Sequence, residues 1–186
     1  MVVLNRVLML ALLVFSSTLM ASERYRQASV DNDGVVHVLT EDGRKLMVGL
    51  EPELAEIGSP ISLHQIRIAP DRRAVGWVVK YPNCCTAYAI PLTLVVYSNG
   101  AKRAYRGSGL PIWQWRFLAG GDQIAFQQEA VHGGIGIRFE LHDVRSGDLV
   151  DVFDWPVGPD NQPVADAVLP DWAKATAIEI KTRTGT

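Results

Sequence analysis

Both cysteines of this 186-residue chain stand side by side, in the stretch Tyr81-Pro82-Asn83-Cys84-Cys85-Thr86-Ala87-Tyr88. A second unusual stretch, Val131-His132-Gly133-Gly134-Ile135, sets an imidazole next to two glycines. Thiols and imidazoles are the side chains of redox and soft-metal chemistry. Adjacent cysteines in an oxidising compartment can bond to each other. Their Cα atoms lie about 3.8 Å apart across a trans peptide, below the roughly 4.4–6.8 Å of ordinary disulfides. A vicinal Cys84–Cys85 disulfide is therefore strained, and strained disulfides are more easily reduced. One expectation is a structural disulfide shaping a tight loop; a second is a redox or switching pair. A third is copper or zinc held by Cys84, Cys85 and His132, although adjacent thiols lack the two-residue spacer of ordinary zinc sites. Free thiols, or thiols bridging two subunits, also fit. The candidate loop site is thus Asn83, Cys84, Cys85, His132, Gly133 and Gly134, with no catalytic residue assigned and no cofactor expected.

The elements that must position these residues come from a unit written twice between 62 and 155. His64, Ile66 and Ile68 align with Trp113, Trp115 and Phe117, and Val75, Trp77 and Val78 with Ile124, Phe126 and Gln127. The offset is about 47–49 residues, a period typical of propellers and other repeat arrays. Strands are predicted at 62–69, 74–81, 92–97 and 101–107, and again at 113–118, 123–130, 136–143 and 149–154. Apolar residues recur every second position in HQIRI and WQWRF, so each strand buries one face. Trp113 and Trp115 are expected on one such face, as core. Pro70-Asp71, Gly120-Gly121-Asp122, Asn99-Gly100 and Ser146-Gly147 mark the turns. The two unusual stretches become equivalent loops between second and third strands, and equivalent loops of adjacent sheets leave one edge. Cys84, Cys85 and His132 are expected to cluster there.

Outside the repeats, Asp31-Asn32-Asp33-Gly34 lacks the later ligands of a calcium loop and reads as a turn. Two β-rich runs on either side of Asp42-Gly43 form a hairpin within 22–61, and Glu23 to Gln27 reads as a loose N-terminus. Prolines dominate 156–186, where 173–180 is a short helix or a last strand. Leu169-Pro170-Asp171-Trp172 echoes Leu110-Pro111-Ile112-Trp113, as if a third copy began and stopped.

Residues 1–21 carry Arg6, an apolar run at 7–15 and small residues before Ala21-Ser22, the layout of a secretory signal peptide. The run is too short to span a bilayer core of about 30 Å as a helix. A periplasmic or secreted protein, with no membrane association after cleavage, is the expectation. The net charge is −2, and cleavage removes one arginine to leave about −3. Arg72-Arg73 and Lys102-Arg103 are the largest basic clusters, too small for a phosphate-tracking stripe, so nucleic acid is not an expected partner. No nucleophile elbow, phosphate loop, dinucleotide fingerprint or zinc-protease His pair is present.

The stretch IRIAPDRRAVGWVV, followed by a strand, a Gly turn and a strand, resembles the blade repeat of TolB-type WD40-like propellers. Pro70-Asp71, Val75 to Val78, Leu94 to Tyr97 and Gly100 match that pattern; Arg72 stands where the family usually has Gly. In the second copy Gly121-Asp122, Ile124 to Phe126, Glu140 to Asp143 and Gly147 match it more loosely. The resemblance implies an all-β fold of consecutive four-stranded propeller-like sheets. Closed propellers take four or more blades, so two copies and a hairpin imply an incomplete or open stack, sheets packed face to face, or blades completed by a second subunit. It also implies a binding or scaffolding module for a protein or small molecule, and no conserved chemistry. The alternative is a redox-active or metal-handling protein acting through Cys84, Cys85 and His132.

Overall fold

The computed structural model of the protein describes residues 23–49, 57–83, 87–131, 136–156, 164 and 168–181. Residues 1–21, where a signal peptide is expected, lie outside the described residues. Among the described residues, eleven strands form three antiparallel sheets. The first holds β1 (Tyr25–Val30), β2 (Val36–Thr40) and β3 (Lys45–Val48). The second runs β4 (Ser62–Ile68), β5 (Ala74–Tyr81), β6 (Ile90–Ser98) and β7 (Ala101–Tyr105). The third runs β8 (Ile112–Leu118), β9 (Gln123–Gln128), β10 (Arg138–Asp143) and β11 (Leu149–Asp154). One helix, α1 (Asp171–Lys181), follows. The fold is all-β, an open stack of propeller-like sheets in which each strand pairs with its sequence neighbour.

Two apolar cores hold the stack together. Tyr25, Val36, Val38 and Val48 of the first sheet meet Val75, Trp77, Val79, Tyr81 and Val95 of the second. Ala74, Val78, Leu94, Val96 and Tyr105 of the second meet Ile112, Trp115, Ile124 and Phe126 of the third. The pleat explains the division: along β5, Val75, Trp77, Val79 and Tyr81 point one way while Ala74 and Val78 point the other. Six consecutive residues of β5 are buried. The expectation of one buried face per strand therefore fails for β5, because its sheet is the middle layer. The repeat register holds: Trp77 faces the first sheet as its counterpart Phe126 faces the second.

Three readings are corrected. Glu23 to Gln27 is not loose: Tyr25 is fully buried and begins β1, while Arg26 and Gln27 are exposed. A strand with one wet face and a register shift between Tyr25 and Gln27 leaves little alternation to read. Trp113 and Trp115 do not share a face. A register shift between Ile112 and Gln114 puts Ile112 into the core with Trp115, and leaves Trp113 half-buried, donating Nε1–H to the Glu129 carbonyl at 2.9 Å. The echo at 169–172 begins no third copy, since α1 starts at Asp171 and packs on β8, β9 and β10. Its Ala173 and Thr176 are buried against the face of the third sheet that the second sheet does not cover.

Gly76 shows how close the sheets approach. A Cβ added there would lie 2.6 Å from the Trp115 ring, which is fully buried and cannot swing aside. Gly76→Ala is expected to cost about 1–3 kcal/mol of stability in urea unfolding. The same substitution in a Trp115→Phe background should cost less, because the obstructing atoms are gone. Equal costs in both backgrounds would show that Gly76 is required for another reason.

Candidate functional site

Strand direction divides the loops between two rims. The turns β2–β3, β4–β5, β6–β7, β8–β9 and β10–β11 lie on one rim, here the turn rim. The described ends of β5 and β9 both lie at the opposite, loop rim. Asn83 is half-buried at the start of the β5–β6 loop. Cys84, Cys85, His132, Gly133 and Gly134 lie outside the described residues, as do the disulfide and metal readings placed on them. Among the described residues, no group of three or more His, Cys, Asp or Glu is placed to hold a metal ion. His37 sits 2.7 Å from Asp31. Asp31 also accepts the backbone N–H groups of Asp33 and Val35, so Asp31-Asn32-Asp33-Gly34 is a carboxylate-capped turn. Those bonds, the one to His37 foremost, hold the Asp31 carboxyl below its ordinary value.

The turn rim is the better-defined surface. Backbone hydrogen bonds tie its turns together across the stack: Tyr25 N–H donates to the Arg72 carbonyl at 2.7 Å, and Asp71 N–H to the Gly120 carbonyl at 2.9 Å. Arg72 takes φ 64°, a left-handed conformation that L-residues adopt at a cost. Its guanidinium bridges to Glu41 of the first sheet at 2.7 Å. A cleft of about 790 Å³ opens between the second and third sheets, walled by the turns of both. Asp71, Arg73, Lys102, Arg103, Asp122 and Arg145 are among its lining residues. Arg103 donates to the Arg145 carbonyl at 2.9 Å and so props one turn on the other. Asp143 is held below the usual carboxylate range, first by the Ser146 backbone N–H. In the sequence Arg73 and Arg103 stand only in small basic clusters and Arg145 stands alone; the turns they flank become one set when the sheets bring them to a common rim.

Between the same two sheets, toward the loop rim, the apolar core gives way to a polar cluster. Gln128 occupies the position equivalent to Val79 and is fully buried. Its Oε1 accepts from the backbone N–H and hydroxyl of Ser108, and its Nε2 donates to Glu140 Oε1 at 3.0 Å. Glu140 also accepts from Arg138 Nε and from His142 Nε2, each at 2.9 Å. Arg138 extends the cluster with two bonds to Asp154. The His142 ring stacks on Phe126 at 5.3 Å and meets Tyr105 edge-on at 5.1 Å. Burial pushes the Tyr105 hydroxyl up to about 12. A Cβ at Gly107 would fall 2.3 Å from the Gln128 amide, so only glycine lets the β7–β8 loop close onto this side chain. The cluster fastens the second sheet's exit loop to the third sheet.

Burial pushes the Glu140 carboxyl up, but the bonds from His142, Arg138 and Gln128 outweigh burial and hold it below its ordinary value. A depressed folded-state pKa stabilises above the unfolded value of about 4.3, and that contribution fades as pH falls through the folded value. Glu140→Gln should therefore lose about 1–3 kcal/mol near neutral pH. The gap to wild type should narrow as the medium is acidified below about pH 4. Urea midpoints across that range check the sign; a gap that widens in acid would contradict it.

No protein-family model matches this chain, and no curated protein matches it either, so its sequence-level relationships add nothing to the geometry of its two rims.

Proposed function

We propose that this chain is a periplasmic or secreted β-repeat module that binds or scaffolds a partner through a rim of its sheet stack. The observation that carries the reading is the turn-rim cleft, a concave surface built from two sheets at once. The large faces of the second and third sheets are used up in stacking and in seating α1, which leaves turns and loops to meet a partner. The signal-like layout of residues 1–21 supports an extracytoplasmic site of action. The resemblance to TolB-type blades, whose loops serve recognition, points the same way.

Photo-crosslinking amino acids placed at Ser98 and Asn99 on the turn rim, and at Met47 on the outward face of the first sheet, test this in the secreting cell. The reading expects a discrete adduct from the rim positions and none from Met47. Adducts from Met47 alone would refute it.

A redox or metal-handling role remains the second reading, favoured by the shared rim of the β5–β6 and β9–β10 loops. In this reading Cys84 and Cys85 form a vicinal disulfide. Intact mass after alkylation is expected to show no adduct on the untreated monomer and two after mild reduction. Two adducts without reductant mean free thiols, and a doubled mass means bridging between subunits. Copper or zinc that survives purification and is lost in Cys84→Ser would move the metal reading ahead.

A further inference from the structure

We propose that the turn-rim cleft between the second and third sheets is a docking groove for an acidic peptide segment of a partner protein. This names the partner chemistry for the binding reading above and rests on it. Several arginines elsewhere in the fold are matched to carboxylates: Arg44 to Asp42 and Glu23, Arg72 to Glu41, Arg138 to Glu140 and Asp154. The arginines of the cleft are not. Arg73 and Arg145 have no side-chain hydrogen bond among the described residues, and Arg103 donates to a main-chain carbonyl instead of a carboxylate. The cleft's own carboxylates are turned to local work. Asp71 accepts from the Arg73 backbone N–H at 3.0 Å and Asp143 from that of Ser146 at 2.7 Å. Guanidinium groups with open forks are suited to bidentate capture of carboxylates supplied from outside.

The charge is local. The chain carries 18 Lys and Arg against 20 Asp and Glu. This cleft and the adjoining one along Arg24 and Arg72 gather six of the cations and only four of the carboxylates. A positive groove on an acidic protein draws in a short acidic segment while the rest of the surface repels a long polyanion. That contrast favours peptide over nucleic acid. The volume, about 790 Å³, exceeds what a single anion fills and suits several residues of an extended chain. β7, the outermost strand of the second sheet, borders the groove through Ala101, Lys102 and Arg103.

The test is fluorescence anisotropy of the mature chain with a labelled ten-residue oligoglutamate, alongside an oligolysine of the same length, a single-stranded oligonucleotide and inorganic phosphate as competitors. The expected result is salt-sensitive binding of oligoglutamate alone. Arg73→Gln and Arg145→Gln should each weaken it about ten-fold, while Arg44→Gln, away from the cleft, leaves it unchanged. Unaltered urea midpoints for the two cleft variants keep a folding defect from passing as loss of binding. Equal weakening by Arg44→Gln would reduce the effect to general charge, and displacement by oligonucleotide or phosphate at matched concentration would replace the peptide by that ligand; each outcome overturns the proposal. Rim crosslinks in the cell with no oligoglutamate binding in solution would sink the acidic-peptide assignment and leave the binding module standing. Absence of both would remove the two together.

Discussion

The structure depends on a middle sheet whose central strands are buried on both faces. β5 and β6 send alternate side chains into two separate cores, and neither core closes without that sheet. Sheets bury an apolar face only against another layer, so the first and third sheets are what make the second one possible. Trp77 on one side and Trp115 against Gly76 on the other are the largest pieces of this packing. Burial of this kind is non-directional, so it brings the sheets together without fixing how they are aligned.

Alignment comes from the polar contacts at the edges of the cores. At the turn rim, main-chain bonds from Tyr25 to Arg72 and from Asp71 to Gly120 connect consecutive sheets. Arg72 accepts an unfavourable φ to make its share of them. Toward the loop rim, Gln128 and Glu140 replace apolar residues in the interface and are satisfied by Ser108, Arg138 and His142. Such buried polar contacts have direction, and a shifted stacking would strand their donors and acceptors without partners. Packing supplies the adhesion and the polar edges supply the register.

Much of this was legible because the period of two is robust. β4 to β11 fall where the β-rich runs and the Gly and Pro turns predict them, and Trp77 and Phe126 occupy equivalent places as the repeat implied. What escaped was whatever local pattern does not encode. β1 has polar neighbours around one buried tyrosine, and it becomes a strand because β2 is there to pair with it. The bulge at Trp113 shifts the alternation by one residue, so a correct strand carried a wrong face. The cleft arginines are ordinary surface residues in sequence and become a set only when two sheets bring their turns together. The thiol pair and His132 are legible as chemistry in the sequence alone, and they lie outside the described residues.

Because α1 lies across the outward side of the third sheet, the pile of sheets has a finished end and an unfinished one. Propellers close by bringing their last blade onto their first; among the described residues a helix covers the outward side of the third sheet instead. The first sheet keeps Met47 exposed on its outer side, so a further layer meets no helix there.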